Sequence, residues 1–322
     1  MTNDQTIPKF QLSNRAATVW LAACGSYLHW SFVLGRFPTK CLDGRVKQPL
    51  LRDDALLADI RAAGRDPRQL SLWWLGQSGF LVCHAGWCLV FDPYLSDSLT
   101  RKYAATDKPH VRMTARVVDP ALLAGLAAVT SSHNHTDHLD ADTLLPLFAA
   151  SPAVRLVLPA ANVDFAAQRL GEAHRARFVP LTDGASAVVG PFTFTAVPAA
   201  HEELSPAYAG FIVGVGPFRR YHSGDTLPFP GLPERLRPFA VDVALLPING
   251  CAPERRVAGN LDGLEAARLA HAIGARCVIP CHYEMFAFNT ASPVAFVGEC
   301  ARLDQRCRVP RAGERVSLRP PS

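Results

Sequence analysis

Ten residues constrain this chain more than any other stretch: Ser131-Ser132-His133-Asn134-His135-Thr136-Asp137-His138-Leu139-Asp140. Four side chains able to hold a metal fall within six positions, in the pattern H-x-H-x-D-H. The apolar run Leu126-Ala127-Ala128-Val129-Thr130 just before them reads as a short buried strand. The motif therefore sits where a strand ends and the chain turns, and ligands gather at that end of the strands in open α/β sheets. His133 and His135, two apart, can aim two imidazoles at one ion, while Asp137 and His138 come round the turn towards a second. Imidazole suits zinc and iron, and the carboxylate brings manganese within range.

A chain of 322 residues is long enough for one large α/β domain with an ample core. With 49% hydrophobic and 19% charged residues it has the make-up of an ordinary folded protein. The net charge of +5 is mild, and no basic block marks a nucleic-acid arm. Lysine occurs only at Lys9, Lys40, Lys47, Lys102 and Lys108. Nine cysteines, an odd number without a C-x-x-C pair, suggest a reduced, cytoplasmic protein. Ala16 to Gly35 carries no Lys, Arg, Asp or Glu, but Gly25, Ser26, His29 and Ser31 interrupt a stretch barely long enough to span a bilayer. It is taken as a helix packed on the domain or on another subunit, which leaves a homo-oligomer or a contact with a membrane surface compatible with the sequence.

Residues 1–70 read as an N-terminal helical extension packed on the domain, with a second short helix from Asp53 to Ala63; residues 71–322 form the catalytic domain. From Leu70 the chain alternates strands and helices. Strands are expected at Ser71 to Val82, Trp87 to Phe91, Val154 to Leu158, Phe192 to Pro198, Tyr208 to Val215, Val241 to Ile248 and Arg276 to Pro280. Helices are expected at Ala141 to Ala150, Asn162 to Gly171 and Leu261 to Ile273, the last opening with Asp262 and Glu265 in capping-box spacing. Two strand-rich halves with flanking helices suggest a four-layer α/β/β/α sandwich with the site between the halves. Asp92, closing a hydrophobic strand ahead of Pro93, is either a brace for a neighbouring loop or an ordinary turn aspartate.

Three more polar residues appear where apolar strands run out: His201, Asp225 and His282. Together with the turn they make seven ligands. His133, His135 and His201 would take one metal, and Asp137, His138 and His282 a second. Asp225 would bridge them, leaving room for a water as a catalytic site requires. Two divalent ions are implied, zinc first, with manganese or iron as alternatives.

The order H-x-H-x-D-H, His, Asp, His resembles the metallo-β-lactamase superfamily of binuclear hydrolases. Four longer stretches are similar to the ascorbate-6-phosphate lactonase family: Trp73-Trp74-Leu75-Gly76, Tyr221-His222-Ser223-Gly224-Asp225, Val241-Asp242-Val243-Ala244-Leu245 and Val278-Ile279-Pro280-Cys281-His282. Ser132 to Asp140 also resembles the N-acyl-phosphatidylethanolamine phospholipase D group. The resemblance, which covers about residues 70–300, implies the four-layer fold and the seven ligand roles. It makes a lactonase acting on a small anionic substrate the leading expectation. A phosphodiesterase is the rival, and a non-catalytic metal-binding protein a third. Asp137 is expected to orient the attacking water and His222 to serve the leaving group. Arg255, Arg256, Asn260 and Tyr283 are the candidate substrate contacts. The segment from Tyr94 to Pro120 aligns with nothing in these families.

Overall fold

The computed structural model describes residues 46–63, 66–253 and 257–320. The expected helix at 16–35, and with it the question of a membrane contact, lies outside the described residues. So do Arg255 and Arg256.

A seven-stranded sheet carries β1 (Leu70–Gly76), β2 (Gly79–His84), β3 (Trp87–Phe91), β4 (Ala128–Thr130), β5 (Arg155–Pro159) and β6 (Phe178–Leu181) in sequential order. A six-stranded sheet holds β7 (Ser186–Val189), β8 (Phe192–Ala200), β9 (Leu204–Val215), β10 (Phe218–His222), β11 (Val243–Pro247) and β12 (Cys277–Cys281), also in sequential order. The last strand, β13 (Arg315–Leu318), returns to pair with β1 at the edge of the first sheet. The helices are α1 (Asp53–Ala63), α2 (Ser98–Lys102), α3 (Ala141–Ala150), α4 (Val163–Leu170), α5 (Leu232–Leu236), α6 (Gly263–Ala272) and α7 (Val294–Arg302).

Connectivity sets the layers. Strands β3 to β6 run parallel, as do β10 to β12, and a parallel pair needs a crossover. In the first sheet the segment carrying α2 links β3 to β4, and α3 and α4 make the next two crossovers; α5 and α6 make those of the second sheet. The sheets face each other, with His222 stacked on Phe91 at 4.9 Å and His84 edge-on to Phe218 at 5.4 Å. One face of each sheet is thus occupied by the other sheet, and the crossover helices take the outer faces. The expected α/β/β/α sandwich is the fold observed. Covered on both faces, β1, β2, β11 and β12 are wholly buried, which explains their unbroken apolar runs.

Three expectations need correcting. The domain starts before residue 71: residues 45–322 form one compact unit. Leu56 of α1 is in the core, and Asp59 accepts from the Trp73 indole N–H at 2.8 Å. Nor are all the cysteines reduced. Cys83 and Cys88 oppose each other across the β2–β3 hairpin, with Cα atoms 4.2 Å apart, and are joined in a disulfide. Strand register brings the sulfurs together, which spacing along the chain does not reveal. The described free cysteines are Cys251, Cys277, Cys281, Cys300 and Cys307. Finally, α6 begins with the expected capping box, but at Gly263 rather than Leu261. No helix among the described residues is long and apolar enough to cross a membrane.

Candidate metal centre

Every element of the site lies where a strand ends. The histidine-rich turn follows β4, His201 follows β8, Asp225 lies three residues beyond β10, and His282 follows β12. Asp92 follows β3, and Gln77-Ser78 form the turn from β1 to β2. Four of these residues have left-handed backbone: Gln77 (φ 49°), Asp92 (φ 34°), Asp225 (φ 60°) and His282 (φ 61°). Such conformations disfavour side chains other than glycine and concentrate at functional sites. Here each lets the chain reverse abruptly at the sheet edge while the side chain stays over it.

The seven candidate ligands meet. The ligand atoms of His133, His135 and His201 lie within 4.8 Å of one another, as do those of Asp137, His138 and His282, and those of His133, His138 and Asp225. The first two groups match the two ligand sets expected from sequence. In the third, Asp225 shares space with a histidine from each set, as a bridging ligand must. Asp225 Oδ2 lies 2.8 Å from His282 Nε2 and 3.2 Å from His138 Nε2, off the direction a hydrogen bond requires.

Outer partners fix which ring nitrogens face inward. His138 Nδ1 lies 2.7 Å from Asp92 Oδ2, and His201 Nδ1 lies 2.7 Å from the Gly259 carbonyl. Carboxylates and carbonyls only accept, so both rings carry a proton on Nδ1 and turn Nε2 inward. His133 Nδ1 donates to Ser132 Oγ at 3.0 Å, and that hydroxyl in turn donates to Asp92. The Nε2 atoms of His133 and His138 are consequently buried without a hydrogen-bond partner, as is that of His282, whose Nδ1 lies 3.1 Å from Gln77 Nε2; His201 Nε2 lies 3.2 Å from His135 Nδ1. Orphaned inward nitrogens beside two carboxylates are a donor set waiting for cations, since buried polar atoms otherwise find partners. The residues present fit divalent metal ions.

Electrostatics agree. Burial, and then the neighbouring histidines, push His133 well below the usual imidazole range, which keeps it neutral, as a metal ligand would have to be. Burial would also lower His138, but the carboxylates of Asp225 and Asp137 raise it well above that range. Without metal, a proton on His138 occupies the field that a cation would fill. Burial alone would raise Asp225, yet His282 and His138 hold its carboxyl well below the ordinary value. Asp137 is lowered for the same reason, with Gln77 Nε2 donating to its Oδ2 at 2.8 Å.

Asp92 proves to be a brace. Fully buried, it accepts from the Thr130 hydroxyl and from the hydroxyl and N–H of Ser132 as well as from His138. Asn260 lines the cavity, but its Nδ2 is spent on Asp225 Oδ2 (3.2 Å) and Asn249 Oδ1 (2.9 Å), so it orients a candidate ligand. Two other candidates are corrected. His222 is buried between the sheets, its Nε2 donating to the Ser78 carbonyl at 2.9 Å, and does not line the cavity. It cannot reach a leaving group. Tyr283 turns away from the site, stacks on Trp74 at 4.2 Å and donates its hydroxyl to the Pro310 carbonyl.

The site opens into a cavity of about 460 Å³. Several of its wall residues were not expected: Gln77, Lys102, Lys108, His110 and Arg169. Gln77 carried a legible signal, a polar pair between two glycines in a tight turn joining two apolar strands. The others come from the segment between β3 and β4 or from the C-terminal end of α4. Arg169 donates to the carbonyls of Asn134 (2.7 Å) and Leu139 (3.1 Å) and so clamps the histidine-rich turn.

Comparison with known proteins supports this architecture. The chain is similar to a protein of Myxococcus xanthus named a UPF0173 metal-dependent hydrolase, at 29% identity over 263 residues, 76% of this chain and 82% of the relative. A protein of the same name from Azorhizobium caulinodans is 25% identical over 254 residues, 76% and 98% of the two chains. Among solved structures, a metallo hydrolase from the archaeon Ignicoccus hospitalis shares the fold, with a TM-score of 0.56 at 23% identity over 78% of this chain and 98% of that one. Residues 89–283, from β3 to just past the last candidate ligand, match the β-lactamase superfamily domain, and the chain belongs to that family.

Proposed function

We propose that this protein is a metal-dependent hydrolase acting on a small anionic ester or lactone, with a lactone as the first candidate. One observation carries the reading: seven candidate ligand side chains meet in three overlapping groups beside one cavity, with the Nε2 atoms of His133, His138 and His282 buried and unpartnered. The hydrolase names of the relatives, and their coverage of most of the chain, support it. The lactone preference rests on the four sequence stretches described above.

His133, His135 and His201 would hold one divalent cation and Asp137, His138 and His282 a second, with Asp225 between them. Zinc suits five histidines and two aspartates best. Bound there, such cations supply Lewis acidity, polarising a carbonyl or phosphoryl group and making water acidic near neutral pH. The chain supplies the rest. Asp137, kept ionised and partly open to the cavity, orients the attacking water and accepts its proton. Gln77 holds that carboxylate in place. Ser78 Oγ (3.1 Å) and Asn260 fix Asp225. The sandwich behind the site excludes bulk water.

The test is to offer zinc-loaded protein a panel of sugar lactones, aryl esters and phosphodiesters, with His135→Ala alongside. Lactone or ester turnover that disappears in His135→Ala is expected. Turnover of phosphodiesters alone would replace the lactone reading, and no turnover of anything would leave a metal-binding protein without hydrolytic activity.

A further inference from the structure

The segment between β3 and β4, packed against residues just beyond β12, builds a small lobe on the cavity wall. Tyr94, Leu99, Met285 and Phe286 form its buried cluster, with Tyr103 packed against them. His110 belongs to this lobe and lines the cavity, the one imidazole among the described wall residues outside the seven candidate ligands. Its stretch of backbone is held from two sides: Thr100 Oγ1 of α2 donates to the His110 carbonyl at 2.7 Å, and the Ala287 N–H donates to the Val111 carbonyl at 2.9 Å. Aromatic rings box in the imidazole, with Tyr103 stacked on it at 4.5 Å, Phe286 edge-on at 5.0 Å and Phe288 tilted at 5.7 Å.

Hydrogen bonding sets the tautomer as well. His110 Nδ1 lies 2.9 Å from the Lys108 carbonyl, which only accepts, so the neutral ring carries its proton on Nδ1. That leaves Nε2 as the nitrogen that can exchange a proton with a bound molecule. Burial lowers the affinity of the ring for a second proton; the Lys108 carbonyl and the Asp137 carboxylate oppose this, the ammonium groups of Lys102 and Lys108 add to it, and His110 comes to lie below the usual imidazole value. An imidazolium so placed gives up its proton more readily than one in water. An ester or lactone releases a basic alkoxide unless the departing oxygen receives a proton as its bond breaks, and His222, shut between the sheets, cannot supply it.

We propose that His110 is the catalytic acid of this site and hands a proton from Nε2 to the departing oxygen of the substrate. The proposal deepens the hydrolase reading and rests on it. Water adds to the acyl carbon, and its proton goes to Asp137. As the bond from that carbon to the leaving oxygen breaks, the oxygen takes the proton from Nε2, and His110 is left neutral with its proton on Nδ1. The proton held by Asp137 returns through solvent to Nε2. One water is consumed, and one carboxylic acid and one alcohol are formed, joined in a single hydroxy acid where the substrate is a lactone.

Two esters of one acid test this, ethyl butanoate and 4-nitrophenyl butanoate, because 4-nitrophenolate departs without a proton and ethoxide does not. His110→Phe keeps a ring in the aromatic box but removes both nitrogens, and His110→Gln serves as a second variant; unchanged melting transitions will show that they fold. In zinc-loaded protein both variants should lose about 100-fold or more in kcat/KM on the ethyl ester and less than about threefold on the 4-nitrophenyl ester. Equal losses on the two esters, or full activity in His110→Phe, would make the residue a packing element and overturn the proposal. A wild type that hydrolyses neither ester would sink the ester and lactone reading and the acid role with it, whereas the outcomes just named touch the acid role alone. Independently of turnover, nitrogen-15 spectra of the zinc-loaded protein, assigned with His110→Phe, should show neutral His110 protonated on Nδ1 and taking up its second proton on Nε2. A neutral ring protonated on Nε2 overturns the proposal.

Discussion

Asp92 does not line the cavity of the candidate site, yet it braces that site. Its carboxylate receives His138 and both donors of Ser132, and through Ser132 it sets the tautomer of His133. Asp92→Asn replaces an acceptor-only group with one that also donates, so His138 loses its partner or its ring orientation. Losses of about 10- to 100-fold in metal affinity are typical for such supports. Competition with a chelator should show a loss in that range, and unaltered affinity would mean that the histidines are positioned by packing alone. Arg220 is the opposite case. Its guanidinium is fully buried on β10 with no hydrogen-bond partner on Nε or either terminal nitrogen, and burial pushes it down to about 9. Arg220→Met should therefore raise unfolding stability by about 1–3 kcal/mol in urea titrations; a marked loss would reveal a partner inside the core. The misread residues have a common cause. Phe218, Arg220 and His222 share one face of β10, and that face looks into the space between the sheets. Tyr283 directly follows a ligand and points the other way. Proximity in sequence marked both as site residues, but alternation along β10 turns His222 between the sheets, and the chain reversal at His282 (φ 61°) turns Tyr283 away.

Among the elements, the loop after β10 shows how closely two segments must approach. Gly224 (φ 64°) leaves no room for a side chain: a Cβ there would sit 2.3 Å from the Ala209 carbonyl oxygen and 2.4 Å from Ser132 Cβ. The missing side chain lets the Asp225 loop lie against the histidine-rich turn. Gly224→Ala should destabilise the fold by about 2 kcal/mol or more and reduce metal binding with it. Denaturant unfolding and metal titration check this together, and a stable variant with full metal content would contradict it. Elements with strong periodicity or caps were legible in the sequence: α1 and α3 lie where expected, and α4 stops at Gly171 (φ 99°). Strands β6, β7 and β13 were not. Each has four residues and none is wholly buried, so it carries too little pattern to separate it from a loop. The short α2 and its lobe were hidden likewise, because their packing depends on Met285 and Phe286, far away in sequence.

For the whole molecule, the scaffold and the site can be separated by pH. The surrounding histidines and hydrogen bonds outweigh the desolvation of Asp92 and hold its carboxyl at about 2. An unfolded aspartate titrates near ~3.9. A folded pKa below the unfolded one means that the carboxylate contributes its full stability above about pH 4, and that this contribution drains away as pH falls towards 2. The amount is about 2–3 kcal/mol. Unfolding of metal-free wild type and Asp92→Asn across this window should show two curves that converge on acidification; parallel curves would contradict the assignment. Metal binding adds a second dependence, because the histidine ligands must be neutral to bind.

The central claim is that seven side chains from both sheets hold a pair of cations. Elemental analysis of protein purified without added metal tests it most directly. About two equivalents of divalent metal per chain are predicted for the wild type, falling in His135→Ala and Asp225→Ala. A content near zero that stays there when zinc is supplied would contradict the account.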